Sequence, residues 1–226
     1  MKCEIKYAPT NLDQVIYPNV AVQRRIQGYA TGQLEGHMIL HGPNGTGKTT
    51  LANLLVQAIG GEDAMRETNE HEDLLDKRDL RGYLRQAASL ARLTTSGKHF
   101  MVLNEFDTAK KKLSQFWTAM DACGDGVMVI MTTNKPMEID PSIRSRCDLV
   151  EMPAISAAAA LARVQFILQA EGLQLGSAQV LEYLRAVEHE GSLRRYFRRA
   201  DELLYLQRND LPFPTCSSTP RTLKVM

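Results

Sequence analysis

The chain has 226 residues, 44% of them hydrophobic, and a formal charge of +1, which suits one ordinary core plus a small second domain and carries no global basicity of the kind that announces a nucleic-acid binder. No apolar run approaches the roughly 20 residues that span a bilayer, and Met1 to Tyr7 has no apolar stretch of the secretory type, so a protein without a membrane partner that stays in the cytosol is expected. The four cysteines Cys3, Cys123, Cys147 and Cys216 show no C-x-x-C spacing, which argues against a zinc site or a disulfide framework.

In chain order, His37 to His41 (HMILH) reads as a buried strand running into glycines, and Thr49 to Ile59 as a helix with Leu51, Leu54, Leu55 and Ala58 on one face. Gly60 and Gly61 end it. Ala64 to Thr68 is a weaker strand, and Leu80 to Leu93 carries Leu84, Ala87, Ala88 and Ala91 at helical spacing. His99 to Leu103 and Val127 to Thr132 are continuous apolar runs of strand length, with a helix between them over Lys110 to Ala122. Asp148 to Met152 closes the series as a strand ended by Pro153. Strands alternating with helices predict an α/β domain over 1–152, with a parallel sheet flanked by helices.

After Pro153 the pattern becomes helical, over Ser156 to Ala170, Ser177 to Glu190 and Ser192 to Arg208. Ser156, Ser177 and Ser192 stand where N-caps are expected, and Gly172, Gly176 and Gly191 mark the breaks. This predicts a small all-helical domain over 153–209. From Asp210 the composition turns to Pro, Ser and Thr, so 210–226 is expected to be a tail that does not fold alone.

Gly42-Pro43-Asn44-Gly45-Thr46-Gly47-Lys48-Thr49 matches G-x-x-x-x-G-K-[ST], between a strand and a helix. Glycines let the backbone curl so that successive N–H groups face phosphate oxygens at the positive end of a helix. Asn44, Gly45, Thr46, Gly47, Lys48, Thr49 and Thr50 are therefore the candidate cradle for ATP. Lys48 is placed to reach the β- and γ-phosphates, and Thr49 to put its hydroxyl on Mg²⁺.

The strand His99 to Leu103 ends in Asn104-Glu105-Phe106-Asp107. P-loop ATPases put an Asp-Glu pair there, the first residue for the metal's water and the second to polarise the attacking water. Asn104 keeps an acceptor oxygen but adds no negative charge beside the metal, so weaker Mg²⁺ binding is expected. Glu105 is the candidate base. Asp107 either helps with the metal or caps the next helix. Asn134, at the end of the strand Val127 to Thr133, is suited to orient water or touch the γ-phosphate.

On these residues the sequence resembles the AAA+ ATPases, and within them the clamp-loader ATPase subunits of the replication factor C and bacteriophage type. Lys6-Tyr7-Ala8-Pro9 with Leu12-Asp13 is similar to the family's K-Y-R-P-x-x-L-D opening, which implies that Tyr7, Pro9 and Ile16 line the adenine pocket; Ala8 replaces the opening's arginine. Ser145-Arg146-Cys147 matches S-R-C, whose arginine enters the neighbouring subunit's ATP site in the family, so Arg146 is implied to act in trans. Gly191-Ser192-Leu193-Arg194 resembles the lid motif whose arginine senses the γ-phosphate, and Asn134 falls at the family's first sensor. The resemblance implies an ATPase with ATP and Mg²⁺ as cofactors, working in an oligomer with other AAA+ subunits, with a sliding clamp and primer-template DNA as its partners.

Two features depart from the family. Tyr17-Pro18-Asn19 stands where cellular loaders have Gly-Gln, which points to a phage or divergent member, and the sequence does not continue into the family's helical collar. Two other readings stay open: a remodeller for a different client, and an ATP-dependent scaffold with little hydrolysis because of Asn104. Arg195, Arg198 and Arg199 read either as a solvated cationic face or as a DNA-backbone contact.

Overall fold

The computed structural model describes residues 2–70, 79–106 and 113–213. Asp107, the start of the helix expected over Lys110 to Ala122, and the tail beyond residue 213 lie outside the described residues. The elements in chain order are α1 (Cys3–Lys6), α2 (Val20–Ala30), β1 (His37–His41), α3 (Lys48–Gly60), β2 (Met65–Glu70), α4 (Leu80–Ala91), β3 (His99–Asn104), α5 (Leu113–Cys123), β4 (Val127–Thr133), α6 (Pro141–Arg144), β5 (Cys147–Glu151), α7 (Ala157–Ala170), α8 (Ser177–Arg185) and α9 (Leu193–Arg208). They form two compact units: Pro9–Met152, and the described residues of Met1–Ala8 with those of Pro153–Met226.

In the larger unit the five strands lie in the order β2-β3-β4-β1-β5, and every pairing is parallel. The expected α/β class is found. All seven residues of β4 are buried, as an uninterrupted apolar run requires when helices cover both faces. Alternation along the strands divides the core in two. Met38, Leu40, Phe100, Val102, Met128 and Ile130 pack against Ile26 of α2 and Leu51 and Leu55 of α3. On the other face Ile39, Met101, Leu103, Val129 and Met131 meet Leu84 and Ala87 of α4 and Phe116 and Met120 of α5.

Helix α2 was not expected from the sequence. The Asn19 side chain accepts from Val22 N–H at 2.9 Å and caps it, and buried Val22, Ile26 and Tyr29 fall at the spacing of one helical stripe.

The smaller unit is built on α7, α8 and α9, with Val164, Ile167, Leu184, Tyr196, Ala200 and Leu203 buried. Tyr196 donates its hydroxyl to the Ile155 carbonyl at 2.8 Å. Ser156 Oγ accepts from Ala159 N–H and caps α7. Ser177 is the first helical residue rather than the cap, and its hydroxyl accepts from Gln165 Nε2 at 2.8 Å. Ser192 occupies the cap position of α9 without a side-chain cap bond. The N-terminal residues join this unit because the Cys3 amide donates to Asp201 at 2.9 Å and Arg163 donates to the Tyr7 carbonyl at 2.9 Å.

Candidate nucleotide-binding site

The loop between β1 and α3 starts in a narrow gap. Gly42 N–H donates to the Thr133 carbonyl at 3.2 Å, and Met152 N–H donates to the His41 carbonyl at 2.7 Å. The backbone at the C-terminal end of β4 and just beyond β5 therefore grips the loop from both sides. Gly42 has φ +142°, and a Cβ on it would lie 2.1 Å from the Met152 carbonyl oxygen, so only glycine fits. Gly45 and Gly47 take φ +79° and +87°, and the chain turns through them into the first turn of α3. Thr46 is buried and donates to the Pro43 carbonyl at 3.1 Å.

Lys48 opens α3. Its Nζ donates to the Gly42 and Pro43 carbonyls at 2.8 and 2.7 Å, which holds the ammonium over the mouth of the loop. Gly47, at the N-cap, makes no side-chain cap bond, so no side chain of its own shields the positive end of the helix. Thr49 and Thr50 are exposed in that first turn.

Strands β3 and β4 bring their C-terminal ends to the same edge. Phe106 N–H donates to the Thr132 carbonyl at 2.8 Å, and Glu105 N–H donates to Thr132 Oγ1 at 3.2 Å. Thr132 Oγ1 in turn donates to Asn104 Oδ1 at 3.5 Å. Glu105 is exposed with φ +49°, a left-handed conformation that costs a non-glycine residue energy and that persists where the surroundings impose it. Asn134 Nδ2 donates to Asn44 Oδ1 at 3.3 Å, tying the residue after β4 to the loop.

Among the described residues no group of three or more His, Cys, Asp or Glu could hold a metal. The Thr49 hydroxyl and the Asn104 amide oxygen are hard oxygen donors of the kind Mg²⁺ takes alongside water and phosphate.

Arg146 is elsewhere. Cys147, the next residue, pairs with His37 at the N-terminal end of β1, while the phosphate loop follows His41 at the other end. At about 3.3 Å per residue the strand separates the two by ~13 Å. Arg146 Nε and Nη2 donate to the carboxylate of Asp121 at 2.7 and 2.8 Å, and this pairing holds Asp121 below the usual carboxylate pKa. Burial pushes the Cys147 thiol up to about 12 and lowers the His37 imidazole.

In the smaller unit Tyr7 donates its hydroxyl to Glu171 Oε1 at 2.9 Å and meets Phe166 edge-on with ring centres 6.2 Å apart. Arg194, in the first turn of α9, donates through Nε to Glu4 at 3.3 Å and is largely exposed. Gly191 precedes it with φ +57°, and a Cβ there would come within 2.3 Å of the Ala154 side chain.

Residues 38–153 match the family described as "ATPase family associated with various cellular activities (AAA)". The chain belongs to the AAA family of ATPases. It is 27% identical over 194 residues to replication factor C small subunit 2 of Pyrobaculum arsenaticum, covering 84% of this chain and 59% of that protein. It is 28% identical over 204 residues to replication factor C subunit 2 of Saccharomyces cerevisiae, covering 84% of this chain and 57% of that one. The chain thus spans less than two thirds of these curated relatives, and the similarity bears out the resemblance drawn from its motifs. Among solved structures it is similar to Thermotoga maritima RuvB, the Holliday junction branch migration motor, with a TM-score of 0.69 at 16% identity over 90% of this chain and 67% of that one. At that identity the likeness concerns the fold.

In this AAA chain, one unit gathers Asn44 to Thr50, Asn104, Glu105 and Asn134 at a single sheet edge. Pro9 and Ile16 belong to the same unit and are half-buried. Tyr7 and Arg194 belong to the other unit. Thr132, Trp117 and Asp121 escaped the sequence reading. Thr132 left one trace, a hydroxyl that with Thr133 ends an otherwise apolar strand. Trp117 and Asp121 left none, because their partner Arg146 is distant in sequence.

Proposed function

We propose that this AAA chain hydrolyses ATP at interfaces between subunits, as part of a clamp-loader-type assembly acting on DNA. The observation that carries the proposal is the division of parts along β1: the phosphate loop is at one end of the strand and Arg146 at the other, so Arg146 serves a nucleotide held by a neighbouring copy or a related subunit.

Within one subunit, amides of residues Asn44 to Thr50 receive the triphosphate. Lys48 exchanges its two carbonyl partners for phosphate oxygens, a pairing in which both donor and acceptor are charged and which is therefore stronger. Thr49 and Asn104 would hold Mg²⁺ and its water; the ion supplies neutralisation of charge on the β- and γ-phosphates. Glu105 takes the proton of the attacking water, and Asn134 orients that water or the γ-phosphate. By the family resemblance, Tyr7, Pro9 and Ile16 are the residues assigned to the adenine base and Arg194 the one assigned to sensing the γ-phosphate.

The test is complementation between Arg146→Ala and Lys48→Ala subunits, each slow on its own. An Arg146→Ala subunit keeps its phosphate loop and should still bind ATP, and in a mixture a Lys48→Ala neighbour can lend it an arginine, so turnover should exceed the weighted mean of the two preparations. Strict additivity in a mixture that co-assembles would remove the trans assignment. Adding a sliding clamp and primed DNA should stimulate hydrolysis, and failure of both removes the clamp-loader client while leaving the ATPase.

One observation favours a second reading. Asn104 puts a neutral oxygen at the metal position, which suits an ATP-dependent scaffold or switch with slow turnover. A different client, such as a helicase, is the alternative if the clamp has no effect.

A further inference from the structure

Arg146 is seated by its own subunit. Asp121 takes Nε and Nη2, the Ser142 carbonyl accepts from Nη1 at 2.7 Å, and the guanidinium carbon lies 4.7 Å from the centre of the Trp117 ring. Trp117 and Asp121 are four residues apart on α5, so one helical turn presents ring and carboxylate on the same side. The ring supports the flat face of the guanidinium and the carboxylate grips one edge in the bidentate manner. An arginine offers five N–H groups, and the bonds to Asp121 and Ser142 use three of them.

We propose that Asp121 and Trp117 are positioning residues that fix Arg146 in the direction of a phosphate on the adjoining subunit, an inference that rests on Arg146 acting in trans. A long side chain loses rotamer freedom when it engages a ligand, and seating it beforehand removes that cost from the encounter. Asp121 occupies one edge of the fork, so the guanidinium can meet a phosphate through its remaining N–H groups without leaving its seat. The pair is partly open to solvent, with Arg146 30% and Asp121 48% exposed, so water screens the carboxylate and the arginine stays an effective cation.

The chain contains a single tryptophan, so its fluorescence reports on this seat alone. In the full chain, Asp121→Asn should make Trp117 more accessible to acrylamide and lower kcat about 10-fold at unchanged KM for ATP, as expected for a misaimed group. Asp121→Glu should recover part of the rate. The double variant Asp121→Asn with Arg146→Ala should be no slower than Arg146→Ala alone. Unchanged quenching, or additive losses in the double variant, would overturn the proposal. If Arg146→Ala turns over normally, the trans reading has failed and this inference falls with it. If Arg146→Ala is slow and Asp121→Asn is not, only the positioning role falls.

Discussion

The side chains of Asn44 and Asn134 meet at 3.3 Å, Asn134 donating, so the residue following β4 is registered on the loop that opens α3. An amide fixed there is aimed by the protein before chemistry starts, and such groups act mainly on the transition state. Asn134→Ala should therefore lower kcat by about 100-fold while ATP affinity changes little. Equilibrium titration with a fluorescent nucleotide beside steady-state turnover checks this, and a parallel loss of affinity would mean that Asn134 only shapes the loop.

Gly42→Ala tests the grip of the sheet on the loop. The added methyl would meet backbone rather than a yielding side chain, 2.1 Å from the Met152 oxygen, so either the Met152 to His41 hydrogen bond or the loop must give way. A loss of about 1–3 kcal/mol is expected on this ground, read as a lower Tm together with loss of nucleotide binding. An unshifted Tm would contradict the close approach.

Asn104→Asp puts a charge at the C-terminal end of β3 without changing side-chain length. Tighter Mg²⁺ binding should follow, seen as a lower Mg²⁺ concentration for half-maximal turnover. A slow enzyme left equally slow, with the same Mg²⁺ requirement, would rule out the amide as the cause.

Cys3 and Cys147 are both raised from 9.0 to about 12, chiefly by burial. At pH 8 about one thiol in ten thousand would be thiolate, so neither should react with iodoacetamide in the folded chain, as peptide mapping can verify. The raised values also set a pH window. Stability is fully present below about pH 9 and falls as pH rises towards 12, because the unfolded thiols release protons first. His37 and His41 are lowered from 6.5 by burial, so their contribution is present above that pH and is lost as pH falls below it. Urea midpoints should decline on both sides of neutrality, and a flat profile from pH 5 to pH 10 would contradict the burial of these groups.

Much of the larger unit was legible because β1, β3 and β4 carry uninterrupted apolar runs and its helices carry one apolar stripe. The phosphate loop could be read from its own spacing, and the placing of Glu105 and Asn134 at strand ends followed from the apolar runs that precede them. Helix α2 was missed although Asn19 and the Val22, Ile26, Tyr29 spacing were there to read. Asp121 and Trp117 could not be read, since their role comes from a tertiary contact with a residue 25 positions away from Asp121. The seating of residues 2–8 with the helical unit was equally hidden, because it depends on Asp201, Arg163 and Glu171 far along the chain.

Strand β1 gives the molecule a front and a back. If Arg146 serves in trans as proposed, a copy that lends its arginine forward receives one from behind, so an open stack of any length keeps one cradle unserved and one cation unused at its two ends. Such growth is heterologous, and it stops only where the rotation between neighbours closes the stack on itself or a different protein fills the gap.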